Sequence, residues 1–168
     1  AHVFSFVEAM LEASAELKGV ESVIGHSMGG AAALYAAHLG MPVQRVVTIG
    51  APAALHRVLA RFAGWLALPE AATARFLEAV NRHVGVDADE IDIERWASRL
   101  QFDGLVIHDH DDREVPFAEA LAMASAWPQA RSLHTRGLGH GRILADRGVI
   151  DAASAFLAGS PGTRRRAA

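Results

Sequence analysis

The stretch "VIGHSMGGAAAL", Val23 to Leu34, decides how the rest of this 168-residue chain is read. An apolar run stops at Gly25. His26, Ser27 and Met28 follow, then two glycines and an alanine-rich segment. Gly25-His26-Ser27-Met28-Gly29 is a G-x-S-x-G pattern set between a predicted strand, Val20–Ile24, and a predicted helix, Gly29–Leu39. A serine there either caps the helix or stands on a sharp, strained strand-to-helix turn that lifts its Oγ clear of the sheet. A cap needs no flanking glycines. A tight turn does, because neighbouring backbone crowds positions two before and two after the serine.

Working outward, the flanks alternate. Residues 3–17 carry apolar groups at helical spacing, and Gly19 stops them. Val43–Ile49 is β-branched and reads as a buried strand. Strands joined by helices argue for a mainly parallel sheet with helices on its faces. From about Ala53 to Arg99 the rhythm breaks into three predicted helices, marked by Leu55–Leu66, Ala72–Val84 and Ile91–Leu100. That is more helix than one crossover needs, and it reads as an insertion over the sheet. Alternation resumes with a strand at Leu105–Ile107, a helix at Phe117–Trp127, a strand at Arg131–Thr135 and a final helix at Ile143–Leu157. The expected organisation is one α/β domain over 1–158, with the insertion at about 53–99, and a flexible C-terminal tail over 159–168.

A serine needs a base, and the base needs a third group to orient it. Both partners stand in suitable places. "HDHDDREVP", His108–Pro116, follows one late strand, and "RGLGHGRIL", Arg136–Leu144, follows the next. Side chains at the C-terminal ends of parallel strands are where ligands bind in such sheets. Asp109, Asp111 and Asp112 are all candidates for the acid, and adjacent aspartates are not separable by chemistry alone. The candidate base is His140. The Met28 N–H, at the start of the helix, is placed to meet a developing oxyanion.

These segments together resemble the α/β-hydrolase-fold serine hydrolases. "GHSMGG" resembles that family's nucleophile elbow, "DDREVP" its acid loop and "GLGHGRIL" its histidine loop. The resemblance implies an esterase-like enzyme cleaving a carboxylic-ester-like bond of a small molecule through an acyl-enzyme, with no cofactor. Ser27 would be the nucleophile, His140 the base and Asp112 the acid, since the family's aspartate usually stands four places ahead of a Pro. The insertion falls where the family carries a helical cap. The family's early strands, and the loop that donates a second oxyanion N–H, find no match before Ser27. The resemblance therefore covers its C-terminal two-thirds and implies a truncated form. The strand Val20–Ile24 would be left as an apolar edge, and self-association into a homo-oligomer through that edge is the expectation. Two other readings stand beside it: an inactive hydrolase-fold fragment serving as a binding or assembly module, and acyl transfer to an acceptor other than water.

Metal chemistry has one foothold. His108-Asp109-His110-Asp111-Asp112 contains H-x-H-x-D, and imidazole and carboxylate suit zinc, so a metal-dependent hydrolase using His108, His110 and Asp112 is a minor alternative. The following Arg113 would put a fixed cation beside the ion. His26 reads as local packing, and His2, His38, His56, His83 and His134 show no partner pattern.

Composition bounds the rest. Hydrophobic residues make up 51% and charged residues 21%, with a formal net charge of −3. That balance points away from nucleic acid. The basic run Arg164–Arg166 sits in a Gly/Ser/Pro tail and reads as solvated. Zero cysteines exclude disulfides and thiolate chemistry. With no visible leader and no apolar run of membrane length, a cytoplasmic location is expected.

Overall fold

The computed structural model describes residues 3–17, 19–84 and 87–159. The order is α1 (Val3–Leu17), β1 (Ser22–His26), α2 (Met28–His38), β2 (Arg45–Ile49), α3 (Leu55–Trp65), α4 (Glu70–Val84), α5 (Ile93–Trp96), β3 (Asp103–Asp109), α6 (Phe117–Ala126), β4 (Ala130–Thr135), α7 (Gly139–Arg142) and α8 (Arg147–Ala158). The strands form one sheet in the order β1-β2-β3-β4, and every pairing is parallel. Parallel neighbours require crossovers, which α2, the α3–α5 stretch and α6 supply.

Strand residues alternate between the two faces, and two cores follow. Val46 and Val106 point toward α1, α2, α5 and α6, where Leu34, Ile91, Ile93, Trp96, Met123 and Trp127 complete the larger core. Val47, Ile49, Leu105 and Ile107 point the other way, onto Ile143 and onto Val149 and Ala153 of α8. Helices therefore cover both faces.

α2 is buried from Gly30 to Ala36. A helix apolar all round belongs inside, and this one is held between the sheet and α1. Its alanines let the two layers approach. At the opposite rim of the larger core, Trp127 lies fully buried over Gly104 of β3. A Cβ on Gly104 would fall 2.3 Å from the indole ring, so the ring occupies the space that any side chain there would need.

Three differences from the sequence expectation have a visible physical cause. β1 runs Ser22–His26 rather than Val20–Ile24. Its ladder to β2, Ser22 opposite Arg45 through His26 opposite Ile49, follows the register of the partner strand and not the apolar run. The third predicted helix of the insertion is broken into short turns at 88–90, 93–96 and 97–99. Asp87 and Asp92 accept hydrogen bonds from the amides of Asp89 and Glu94 and restart the chain each time. Asp146 does the same to the final helix, accepting from the Val149 amide, so Ile143–Ala145 is a separate 3-10 turn. The expected tail beyond Gly159, with Arg164–Arg166, lies outside the described residues.

β1 is an edge strand among the described residues, with Ile24 half exposed at 51%. Among the described residues no helix is long and apolar enough to cross a membrane.

Candidate active site

All four strands of the sheet deliver one element of the site at their C-terminal ends. Ser27 follows β1, Gly50 follows β2, Asp112 follows β3 and His140 follows β4.

Ser27 sits at φ 54 and ψ −130 between β1 and α2. Such a conformation costs a non-glycine residue about 1–3 kcal/mol, and its surroundings must hold it. The Ser27 amide donates to the Ile49 carbonyl at 2.9 Å, and the Ser27 carbonyl accepts from Gly30 at 2.9 Å. The side chain makes no capping hydrogen bond, so the helix-cap alternative loses its physical basis. A Cβ on Gly25 would fall 2.5 Å from the Gly29 carbonyl oxygen and from the Gly30 Cα. At Gly30 it would fall 2.6 Å from the Ala51 Cβ. At Gly29 nothing lies within 4 Å. The crowded pair is thus Gly25 and Gly30. The second glycine of the G-x-S-x-G pattern is not sterically required, because its missing side chain faces open space.

The candidate base and the candidate acid meet directly. His140 Nδ1–H donates to Asp112 Oδ2 at 2.7 Å. The other Asp112 oxygen accepts from the amides of Glu114 and Val115, each at 2.9 Å. The Asp112 side chain is 1% exposed. Three donors thus converge on one buried carboxylate, and the bond through Nδ1 fixes the orientation of the imidazole ring. Asp111 instead accepts from the Gly137 amide at 2.8 Å.

Gly50 and His26 tie the halves together. Gly50 lies at φ 56, and a Cβ there would fall 3.2 Å from His140 Nδ1 and 3.3 Å from Asp112 Oδ2. It directly follows Ile49, whose carbonyl holds the Ser27 amide. His26 Nε2–H donates to the His140 carbonyl at 3.0 Å, and the two rings lie 4.6 Å apart. Local sequence assigns His26 to packing and gives Gly50 no role. For Gly50 the available signal was a lone glycine closing a buried strand. For His26 there was none, because its partner is 114 residues away.

Asp109 takes a bracing part. Burial alone would raise its pKa, but hydrogen bonds from the Thr135 hydroxyl and from the amides of Gly139, Asp111 and Leu138 outweigh that and hold it at about 2. The Thr135 bond is 2.6 Å long. The carboxylate therefore pins the histidine loop to the end of β3. Glu119 is a second brace outside the sequence reading. Its buried carboxylate accepts from the Ala53 and Ala54 amides and from Arg57, whose Nη1 pairs with Glu94 at 2.6 Å. That network fixes the point where the chain leaves the sheet for α3.

Of the H-x-H-x-D segment, His108 and Asp112 lie together, with Nε2 3.5 Å from Oδ2, but His110 does not join them. His108 is fully buried, with Nε2–H donating to the Val115 carbonyl at 2.9 Å. His110 stacks on Phe117 at 3.8 Å. Burial first, then the neighbouring His110 and His108, lower the pKa of His134. Among the described residues no group of three His, Cys, Asp or Glu side chains is placed to hold a metal ion.

No family model matches this chain, and no curated protein matches it in sequence. Solved structures do resemble it. BpoC of Mycobacterium tuberculosis H37Rv, titled a non-heme bromoperoxidase, aligns with a TM-score of 0.68 at 16% identity, over 93% of this chain and 73% of its own. The esterase EaEST of Exiguobacterium antarcticum gives 0.63 at 17%, over 91% and 72%. MGS-MChE2, an α/β hydrolase from a lagoon-sediment metagenome, gives 0.64 at 19%, over 92% and 69%. Joined to a parallel four-strand sheet flanked by helices, these alignments show that the chain has the α/β-hydrolase fold.

Proposed function

We propose that this protein is a serine hydrolase acting on a carboxylic-ester-like bond of a small molecule. Ser27 is the nucleophile, His140 the general base and then acid, and Asp112 the group that holds the imidazole and stabilises its charged form. The Met28 N–H opens α2 beside Ser27 and serves the oxyanion. The helical stretch at about 53–99 serves as the cap within a domain spanning 1–158.

The observation that carries this reading is the pairing of two features at one sheet rim. A strained serine caps nothing, and a histidine is held through Nδ1 by a buried carboxylate at 2.7 Å. A helix cap would need neither the strain nor the histidine. Esterase structures among the similar folds support the bond type.

Treatment with a fluorophosphonate, with peptide mass locating the adduct, tests it. The expected label is on Ser27, and Ser27→Ala removes both the label and hydrolysis of p-nitrophenyl acetate. A folded chain that takes no label overturns the hydrolase assignment in favour of a binding module on the same fold.

A further inference from the structure

α3 and the loop after β3 enclose a cavity of about 810 Å³, within the range of small-molecule sites. Its walls combine two chemistries. Val58, Phe62, Trp65 and Val115 supply apolar surface, and Arg61 and Arg113 supply two guanidinium groups. Among the described residues neither arginine makes an ion pair. Arg61 donates one long bond, 3.4 Å, to the Arg113 carbonyl. Arg57, one turn earlier on α3, differs sharply, because Glu119 and Glu94 both hold it. Glu119 also lines the cavity, but its oxygens are taken by Arg57 and by the amides of Ala53 and Ala54.

Ser27, Asp112 and His140 are not among the lining residues, and Glu114 links the cavity to the candidate triad. The Glu114 carboxylate lies 3.8 Å from His140 Nε2. That is the edge of the imidazole opposite the one Asp112 holds. A molecule reacting there would extend its remaining part along α3, past apolar side chains toward two cations with no acid of their own.

We propose that this cavity is the subsite for the non-reacting part of the substrate. It takes an apolar chain or ring ending in a carboxylate, with Arg61 and Arg113 as the anion-binding residues. The proposal rests on the Ser27–His140–Asp112 reading for the bond that reacts. Guanidinium groups hold carboxylates in a fork geometry that an uncharged end cannot match, so the cavity selects half-esters of dicarboxylic acids over neutral esters of the same length.

Ser27→Ala protein, which binds without turnover, tests the subsite. Trp65 lines the cavity and is 85% exposed, while Trp96 and Trp127 are buried, so indole emission reports occupancy and Trp65→Phe identifies its source. Titration with 4-phenylbutyrate should give binding about tenfold tighter than with 4-phenylbutyramide, the scale of a hydrogen bond to a charged group. The advantage should shrink at about 1 M salt, where the Debye length is about 3 Å. It should vanish in the Arg61→Gln/Arg113→Gln protein. In the active chain the same pair of substitutions should lower the ratio of kcat/KM for mono-p-nitrophenyl adipate to that for p-nitrophenyl hexanoate about tenfold. Equal binding of acid and amide, an acid preference that survives loss of both arginines, or no binding of either at millimolar concentration overturns the subsite. Fluorophosphonate labelling separates the two layers. A labelled Ser27 with no acid preference removes the subsite alone. An unlabelled Ser27 with the preference intact removes the hydrolase and leaves an anion-binding cavity.

Discussion

The C-terminal rim of the sheet and the helix pair α3–α4 are built in opposite ways. At the rim, strained or buried polar groups are over-determined. Ser27 is held through its amide and its carbonyl, Asp112 by three donors, and Asp109 by Thr135 and the loop amides. α2 behind them is buried nearly throughout. Beyond the rim, α4 has no buried side chain among the described residues. α3 buries Leu55 and Ala63 while exposing Phe62 and Trp65, and its firmest attachment is the Arg57 network at its base. A site that must hold atoms to within a fraction of an ångström needs the first kind of construction. Under the proposed subsite, α3 is a wall that admits a molecule, which the second kind of construction suits, with few buried contacts and low local stability.

The largest effect on this contrast should come from Gly25→Ala. The new methyl meets backbone on both Gly29 and Gly30, so β1 and α2 must separate. The expected loss is about 3 kcal/mol, the upper end for overpacking, together with loss of Ser27 labelling. Gly29→Ala, aimed at open space, should keep labelling and the urea midpoint near wild type. If both substitutions behave alike, close approach at Gly25 is not what shapes the turn.

Asp109 sharpens the comparison through pH. Its carboxyl titrates at about 2 in the fold against an ordinary value of 3.8. A lowered carboxyl pKa gives stability that is complete above the unfolded value and is lost as pH falls through the folded one. Wild type should therefore lose stability steeply between about pH 4 and pH 2. Asp109→Asn should be weaker at neutral pH and flatter across that window, because this one carboxyl no longer titrates. Urea midpoints at several pH values decide it, and parallel curves for the two proteins would remove Asp109 as the brace.

The smallest effect belongs to the outer helices. Trp65→Ala removes a large side chain that is already in water, and the change in unfolding free energy should stay within about 0.5 kcal/mol. A drop of several times that size would mean that α3–α4 is as firmly built as the rim.

Legibility followed the range of the interactions. The parallel α/β architecture shows in local patterns, because β-branched runs and helical spacing are properties of neighbours in the chain. The helical stretch between β2 and β3 is legible in the same way. Its third helix is not, since Asp87 and Asp92 bond nearby amides and break a periodicity that looks continuous in the sequence. At the site, "GHSMGG" announces a turn. The cluster of aspartates before Pro116 shows an acid loop but not which oxygen meets the histidine. Asp112 is singled out by geometry, 28 residues from His140 in the chain.

The order of elements and the tight turn at Ser27 are already present in the amino-acid order, because apolar periodicity and the steric freedom of glycine are written residue by residue. Only the tertiary structure decided that Gly30 and not Gly29 is crowded. It likewise decided that Gly50 faces His140, that His26 holds the His140 carbonyl, and that Arg61 and Arg113 line one cavity. Those facts depend on the register of four strands and on where their ends bring distant loops, and no local pattern encodes that distance.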